Sequence, residues 1–427
     1  MTSVVGRGVT TGYLAPDEIA GLVRDGLGQL ALDGRRVLVL IPDGTRTMPM
    51  PVMFEALERE LAPRVAALDF LVALGTHTAM TDAQLSRHVG RPVIDGRAGA
   101  RRIFNHRWDD PAQFVELGTI DAATIGELTG GRLRQAVRVA LNRLVIEYDH
   151  VLICGPVFPH EVVGFSGGTK YLFPGIAAPP MIHFTHWLGA LITSSEVIGR
   201  ADTAVRAVID RAAALLDKPV SLIALVVTHD GVAGMFIGDT GEAWRRAAAL
   251  SAHRHIVWVQ EPFDRVLAVM PPMYDDLWTA AKGAYKTETA VADGGEVIIY
   301  APHVAEVSYV HGRLIDEIGY HCRDYFLGQW DRFERYPGGI LAHSTHVKGL
   351  GEFDRERSVE TPRIQVTLAT GIPPERCRRI NLEYADPAGI DLSDWPTQAG
   401  NGTLLVPRAG ELLFRVGSAP DATRDRT

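Results

Sequence analysis

Cysteine is scarce in this chain: Cys154, Cys322 and Cys377 are all there are among 427 residues. An odd number at such wide spacing excludes a disulfide framework and a cysteine-rich zinc site. Cys154 lies in the apolar run VLICGPV, where a small buried hydrophobe is the expected role. Long hydrophobic stretches are missing as well. The longest, Val220 to Thr228, is about half of what a bilayer span requires. The amino terminus, MTSVVGRGVTTGYLAPDE, has no basic segment followed by an apolar run. A membrane partner is therefore not expected, and a cytoplasmic location is. Positive charge is not in excess, since 43 Lys and Arg against 51 Asp and Glu leave a net charge of −8. No Lys/Arg stripe is interleaved with aromatics, so nucleic acid is not an expected partner. Internal repeats and low-complexity segments are also absent.

What is present is an ordinary globular composition, 46% apolar and 22% charged, in a chain long enough for two or three domains. Short β-branched runs alternate with amphipathic stretches, the rhythm of βαβ units and a mostly parallel sheet. Strands are predicted at Arg36 to Ile41, Asp69 to Leu74, His150 to Pro156 and Val220 to Thr228. Helices are predicted at Met53 to Leu61 and Thr203 to Leu216, and Thr81 to Gln84 reads as a capping box opening another. Near Pro262 the rhythm restarts with strands at Arg265 to Met270 and Glu296 to Tyr300. A long helix follows from Leu314 to Phe333, then a strand at Ile364 to Leu368 and a closing hairpin of Gly402 to Val406 with Glu411 to Val416. The expectation is an α/β protein of two domains, 1–262 and 263–427, with mostly parallel sheets and an active-site cleft between the domains. The last stretch of about 20 residues is expected to pack back on the first domain, and the polar tail APDATRDRT to fray.

In an open α/β sheet ligands bind beyond the carboxyl ends of the strands, so the residues that follow each predicted strand carry the functional reading. After Ile41 comes Pro-Asp43-Gly44-Thr45-Arg46. Gly75-Thr76-His77 follows Leu74, and Val-Phe-Pro-His160 with the loop Gly164-Phe165-Ser166-Gly167-Gly168-Thr169-Lys170 follows Pro156. A cation for a carboxylate, two imidazoles and a lysine in a loop stripped of side chains are the parts of an acid/base site for a small anion. Backbone amides of that loop, with Ser166 or Thr169, suit a phosphate. It is not a Walker loop, because Tyr171 follows the lysine and the glycine spacing is one short. A dissociable nucleotide, as in a dehydrogenase or kinase, is the rival reading, although no G-x-G-x-x-G follows the first strand. His183 and His186 stand three apart on one predicted helix, which suits one metal ligand better than two. In the second half, Trp278, Thr279 and Lys282 follow a strand, and Thr345-His346-Val347-Lys348-Gly349 is placed on the far side of the cleft.

Taken together these stretches resemble the nickel-dependent lactate racemase family. The likeness runs in order through Asp43-Gly44-Thr45-Arg46, Leu74-Gly75-Thr76-His77, His160 with Ser166-Gly167-Gly168-Thr169-Lys170, His186 and Lys282. It implies a 2-hydroxyacid racemase or epimerase that inverts C2 by proton-coupled hydride transfer to a tethered nickel-pincer nucleotide (pyridinium-3-thioamide-5-thiocarboxylate mononucleotide). By the same resemblance Lys170 is the covalent tether and His186 the nickel ligand. Asp43, Gly44, Thr45 and Arg46 contact the nucleotide, and His77 and His160 are the acid/base pair. Arg46, Lys282, Thr279 and Trp278 face the substrate. Glycines of the loop are expected to make space for the cofactor's ring and phosphate. The partners implied are a small 2-hydroxy acid and cofactor-maturation enzymes; nothing specifies an oligomer. Trp278 and Thr279 stand where the lactate enzymes have tyrosine and glutamine, which opens an alternative substrate, a larger sugar acid such as an aldonate epimerised at C2.

Overall fold

A computed structural model describes residues 3–397 and 402–419, so the end of the chain whose fraying was expected lies largely outside the described residues. The chain divides into two compact units, Met1–Gly189 with Val197–Arg254, and Ala190–Glu196 with His255–Thr427.

The first unit is built on an eight-stranded sheet. Its strands are β1 (Val5–Gly8), β2 (Arg36–Ile41), β3 (Ala67–Val72), β4 (Arg97–Ala98), β5 (Arg101–Asn105), β8 (His150–Pro156), β11 (Val220–Thr228) and β12 (Gly231–Asp239), in the order β1-β12-β11-β8-β2-β3-β5-β4. From β11 to β5 every pairing is parallel, and antiparallel strands close both edges. β6 (Phe114–Ile120) and β7 (Val137–Asn142) form a separate antiparallel ribbon. β9 (Pro159–His160) and β10 (Gly164–Phe165) form a small hairpin.

A parallel sheet covered on both faces needs strands that are apolar throughout, and β2, RVLVLI, is buried from Val37 to Ile41. Alternate residues of it, Val37, Val39 and Ile41, join one core. The helix Met50–Leu61 contributes Met53, Phe54, Leu57 and Leu61 from one face to the same core, and Phe54 meets Phe70 of β3 at 4.5 Å between ring centroids. Each such fully buried side chain is worth roughly 1.5–3 kcal/mol, enough to make the sheet a rigid base for the loops at its end. The capping box forms as read: Thr81 and Gln84 cap the helix Asp82–Val89 reciprocally.

In the second unit β14 (Phe263–Val269), β15 (Val291–Ala301), β18 (Gln365–Thr370), β19 (Glu383–Tyr384) and β20 (Thr403–Val406) make an all-parallel sheet, ordered β19-β18-β15-β14-β20. β13 (Ile256–Val259) pairs with β21 (Leu413–Val416) in parallel, and β16 (Gly351–Asp354) with β17 (Val359–Pro362) antiparallel. The α/β class with mostly parallel sheets is thus observed. Two expectations fail here. The closing hairpin does not form, because β20 joins the five-stranded sheet while β21 pairs with β13. The long helix from Leu314 to Phe333 is three short ones, Gly312–Ile318, Arg323–Gly328 and Trp330–Phe333. Gly319, with φ +72° and ψ −176°, takes an extended positive-φ conformation that glycine alone adopts readily and that cannot continue a helix, and apolar spacing alone did not reveal that break.

Candidate functional site

Chain order reverses at β2. From β2 the chain runs outward through β3 to β5, then returns to lay β8 on β2's other side. Such a reversal separates the loops leaving adjacent strands and opens a crevice at their carboxyl ends. The loops after β2, β3 and β8 are the three that carry Asp43 to Arg46, His77, and His160 to Lys170.

Asp43 is buried, 6% exposed. Its Oδ1 accepts from the backbone N–H and hydroxyl of Thr45 at 3.0 and 2.7 Å, while Oδ2 lies 2.5 Å from His77 Nδ1. Burial alone would raise the carboxyl, but His77, by its charge and hydrogen bond, together with Arg46 and Thr45, holds it far below the usual range. Arg46 donates to Thr45 Oγ1 at 2.8 Å and stands 5.9 Å from the Phe158 ring centroid. Gly44 is exposed. The sequence reading gave Asp43 to a nucleotide, and here its carboxylate serves Thr45 and His77.

His160 sits in the β9–β10 hairpin opposite Gly164, with Nδ1 accepting from the backbone N–H of Val162 at 3.2 Å and lying 3.3 Å from Glu161 Oε2. Gly164 has φ +88°, and a Cβ there would come within 1.9 Å of the Arg200 carbonyl oxygen. At Gly168 the same position would fall 2.9 Å from the Trp244 ring. These glycines admit the protein's own backbone and Trp244, which corrects the expectation that they clear space for a ligand. Ser166 and Thr169 are likewise spent on the fold. Ser166 donates to the Pro156 carbonyl and accepts from Phe158 N–H, both at 3.0 Å, and Thr169 donates to Asp210 at 2.6 Å.

What fastens the loop is Arg206, on the helix Ala204–Ala213. Its guanidinium, 4% exposed, donates to the carbonyls of Phe165 and Gly167 at 2.5 and 3.3 Å. It also stacks 4.1 Å from the centroid of Trp244, whose indole N–H reaches the Ser166 carbonyl at 2.8 Å. Burial lowers its pKa to about 10, so it stays charged at neutral pH. Sequence reasoning passed it over, although an arginine among Val205, Val208 and Ile209 on the apolar face of a helix is a signal of a buried partner. Arg206→Met is expected to strand those carbonyls at about 1–3 kcal/mol for each acceptor left unsatisfied. The measurement is the urea midpoint, which should fall at unchanged slope.

Lys170 lies in the short turn Gly168–Tyr171 and keeps part of its surface open. Burial, then the charges of Arg46 and Arg206, lower its amine to about 7 against the partial opposition of Glu161 and Asp43. The charges of residues from the loops after β2 and β8 thus act on one amine. A lysine half neutral at physiological pH is a competent nucleophile. His186, partly exposed on the helix Pro179–Ile192, donates from Nδ1 to the Ile182 carbonyl at 2.7 Å. Its lone pair is therefore on Nε2, the tautomer a metal requires. Burial, with a contribution from the Lys170 charge, lowers its pKa to about 4, so it is neutral. His183 shares the helix and is likewise lowered by burial. Among the described residues no group of three or more His, Cys, Asp or Glu side chains stands ready to hold a metal ion.

Trp278, Thr279 and Lys282 belong to the second unit. The Trp278 ring stacks on His343 at 3.8 Å and 6°, and His343 reaches the Trp278 carbonyl from Nε2 at 3.0 Å. Thr279 is taken up by the cap of its own helix, with its hydroxyl 2.8 Å from Asp276 Oδ1. Lys282, 8% exposed, donates to the Thr279 carbonyl at 3.1 Å and lies 4.5 Å from the Tyr274 ring centroid. Thr345, His346 and Gly349 line a small cavity within this unit, together with Ser194, Glu288 and Arg323. Cys154, Cys322 and Cys377 are all unpaired and buried. No helix among the described residues is long and apolar enough to cross a membrane.

Residues 22–199 match the lactate racemase N-terminal domain. Over 288 residues the chain is 26% identical to the lactate racemase of Lactiplantibacillus plantarum, a match covering 65% of this chain and 62% of that protein. With the lactate racemase of Thermoanaerobacterium thermosaccharolyticum it shares 22% identity over 282 residues, 64% of this chain and 62% of the relative. The chain thus spans less than two thirds of the length of these two relatives. Among solved structures, a protein from Thermotoga maritima superposes with a TM-score of 0.87 at 29% identity, covering 95% of this chain and 99% of that one. The lactate racemase apoprotein of T. thermosaccharolyticum superposes with a TM-score of 0.70 at 18% identity, covering 94% and 93%, a likeness of fold.

Proposed function

We propose that this chain, whose residues 22–199 match the lactate racemase N-terminal domain, is an isomerase of that family inverting C2 of a small 2-hydroxy acid. The observation that carries the reading is the convergence after β2, β3 and β8: His77 on Asp43, with Asp43, Arg46 and Glu161 all acting on the buried amine of Lys170. The residues fit a tethered nickel-pincer nucleotide on two counts. Lys170 has an amine neutral enough to be acylated, and His186 has its Nε2 lone pair outside its one hydrogen bond. Lys170 would hold the group covalently, His186 would hold nickel, and Thr45 and Arg46 lie at the same rim for the nucleotide. When bound, this cofactor supplies a two-electron acceptor for the hydrogen at C2.

The chain's own residues do the rest. Arg46 is suited to the substrate carboxylate, because a planar guanidinium can grip it with two parallel hydrogen bonds. His77 and His160 hold and move the hydroxyl proton, one on each side of the substrate. Lys282 and Trp278 are proposed as further substrate contacts. Thr279 has a hydroxyl where the lactate enzymes have the amide of glutamine, and that hydroxyl donates to Asp276; the changed hydrogen bonding favours a substrate other than lactate, with an aldonate as the second reading. Maturation enzymes would be required to build the cofactor, and three unpaired buried cysteines suit a reducing cytoplasm.

The test is a screen of 2-hydroxy acids of increasing length, from lactate to six-carbon aldonates, on chain purified with nickel from a maturation-competent host. Inversion of one of them, with C2 deuterium retained in the product, is expected. A loaded chain that inverts none, or that exchanges the deuterium fully with solvent, would refute the reading.

A further inference from the structure

The two histidines hold their partners on the same ring atom with opposite polarity. At His77 the partner of Nδ1 is the Asp43 carboxylate at 2.5 Å. An ionised carboxylate only accepts, so Nδ1 carries the proton and a neutral His77 keeps its lone pair on Nε2. At His160 the partner of Nδ1 is the backbone N–H of Val162 at 3.2 Å, which only donates. There Nδ1 carries the lone pair, and the proton of the neutral ring is on Nε2. Glu161 Oε2, 3.3 Å from the same Nδ1, does not reverse this. It becomes a hydrogen-bond partner once the ring gains a second proton, and in that form Nε2 is protonated as well.

We infer that Asp43 and the Val162 amide are positioning groups that hold the neutral rings of His77 and His160 in opposite tautomers, with Glu161 as the alternative Nδ1 partner of a protonated His160. Resting on the racemase reading, the consequence is a site whose two sides are unequal before substrate arrives. With both rings neutral, Nε2 of His77 is a base for a substrate hydroxyl and Nε2 of His160 is a donor. An isomer that presents its hydroxyl to His77 can lose that proton directly. For the inverted product to regain one, His160 gives up its Nε2 proton while Nδ1 holds a second, drawn from solvent and bonded to Glu161. One proton has then entered at His77 and one has left at His160. The rings finish with exchanged roles and must return through solvent before the same isomer is taken again. The sequence showed two histidines, but a ring's tautomer is decided by what lies on its far nitrogen, and neither Asp43, 34 residues from His77, nor the Val162 amide is legible as that partner.

Long-range ¹H–¹⁵N correlation spectra of histidine-labelled chain, made without cofactor at a pH where both rings are neutral, read the tautomers directly and need no activity. His77→Gln and His160→Gln assign the signals by loss. The expected result is a protonated Nδ1 at His77 and a protonated Nε2 at His160, and Asp43→Ala should lose the first pattern and keep the second. The same tautomer at both rings in the wild-type chain overturns the inference, even if the variant fails to fold. So does an Asp43→Ala chain in which His77 is unchanged. A loaded chain without racemase activity that shows the opposite tautomers counts against the proposed reaction and leaves the tautomers standing.

Discussion

Lys170→Ala, produced in a host able to build the cofactor, is expected to carry no nucleotide-sized adduct and to show no racemisation above background, whereas wild-type chain is expected to carry the adduct on the peptide containing residue 170. Lys170→Arg should do the same, because a guanidinium stays protonated and does not acylate. Intact-mass measurement and peptide mapping read both outcomes, and an adduct on either variant would remove the tether from this lysine. The pH dependence has a definite direction. Burial disfavours the ammonium form, so the folded amine titrates near 7 while the same lysine in an unfolded chain titrates near 10.5. Between those values the unfolded chain binds the extra proton, and folding stability from this group rises with pH. The penalty is fully present below about pH 7 and fades towards pH 10.5. Lys170→Met is therefore expected to be more stable than unloaded wild-type chain at pH 7, with the gap in urea midpoint narrowing as pH rises. A gap that widens with pH would contradict the burial that makes this lysine reactive.

Loss of either imidazole proposed as acid/base is the second large effect expected. His77→Ala and His160→Ala should each reduce turnover of loaded enzyme by roughly 10²- to 10⁴-fold, the range for a positioned general acid or base, while leaving the adduct mass on Lys170 unchanged. The double variant should fall well short of the product of the two losses, since groups that act on one proton path are not additive. Turnover of each single variant is compared in both directions, per mole of adduct. Wild-type rates in either would end the role of that histidine, and loss of the adduct would mean that the residue serves loading.

Much of this was open to reading before any coordinates. Apolar β-branched runs marked β2, β8 and β11 to the residue, because strands buried on both faces of a parallel sheet leave no polar position to blur the signal. From the strand ends followed the candidate residues, since an α/β sheet binds ligands at one edge and the residues there are set by chain order. Cysteine scarcity, absent membrane spans and the order of short motifs bounded the chemistry and pointed to the family. Boundaries set by a single backbone conformation were harder, as the helix interrupted at Gly319 illustrates.

Tertiary structure alone decided what each polar group is committed to. Asp43 is the partner of His77, Thr279 is the residue its helix cap Asp276 bonds, and the loop glycines give clearance for Arg200 and Trp244. Arg206 emerged as the fastening of the loop that carries Lys170. The physical reason is common to all of these. A sequence displays donors, acceptors and charges one at a time, whereas hydrogen bonding and desolvation depend on which groups from distant segments arrive within about 3 Å of each other, and only the folded chain brings them there.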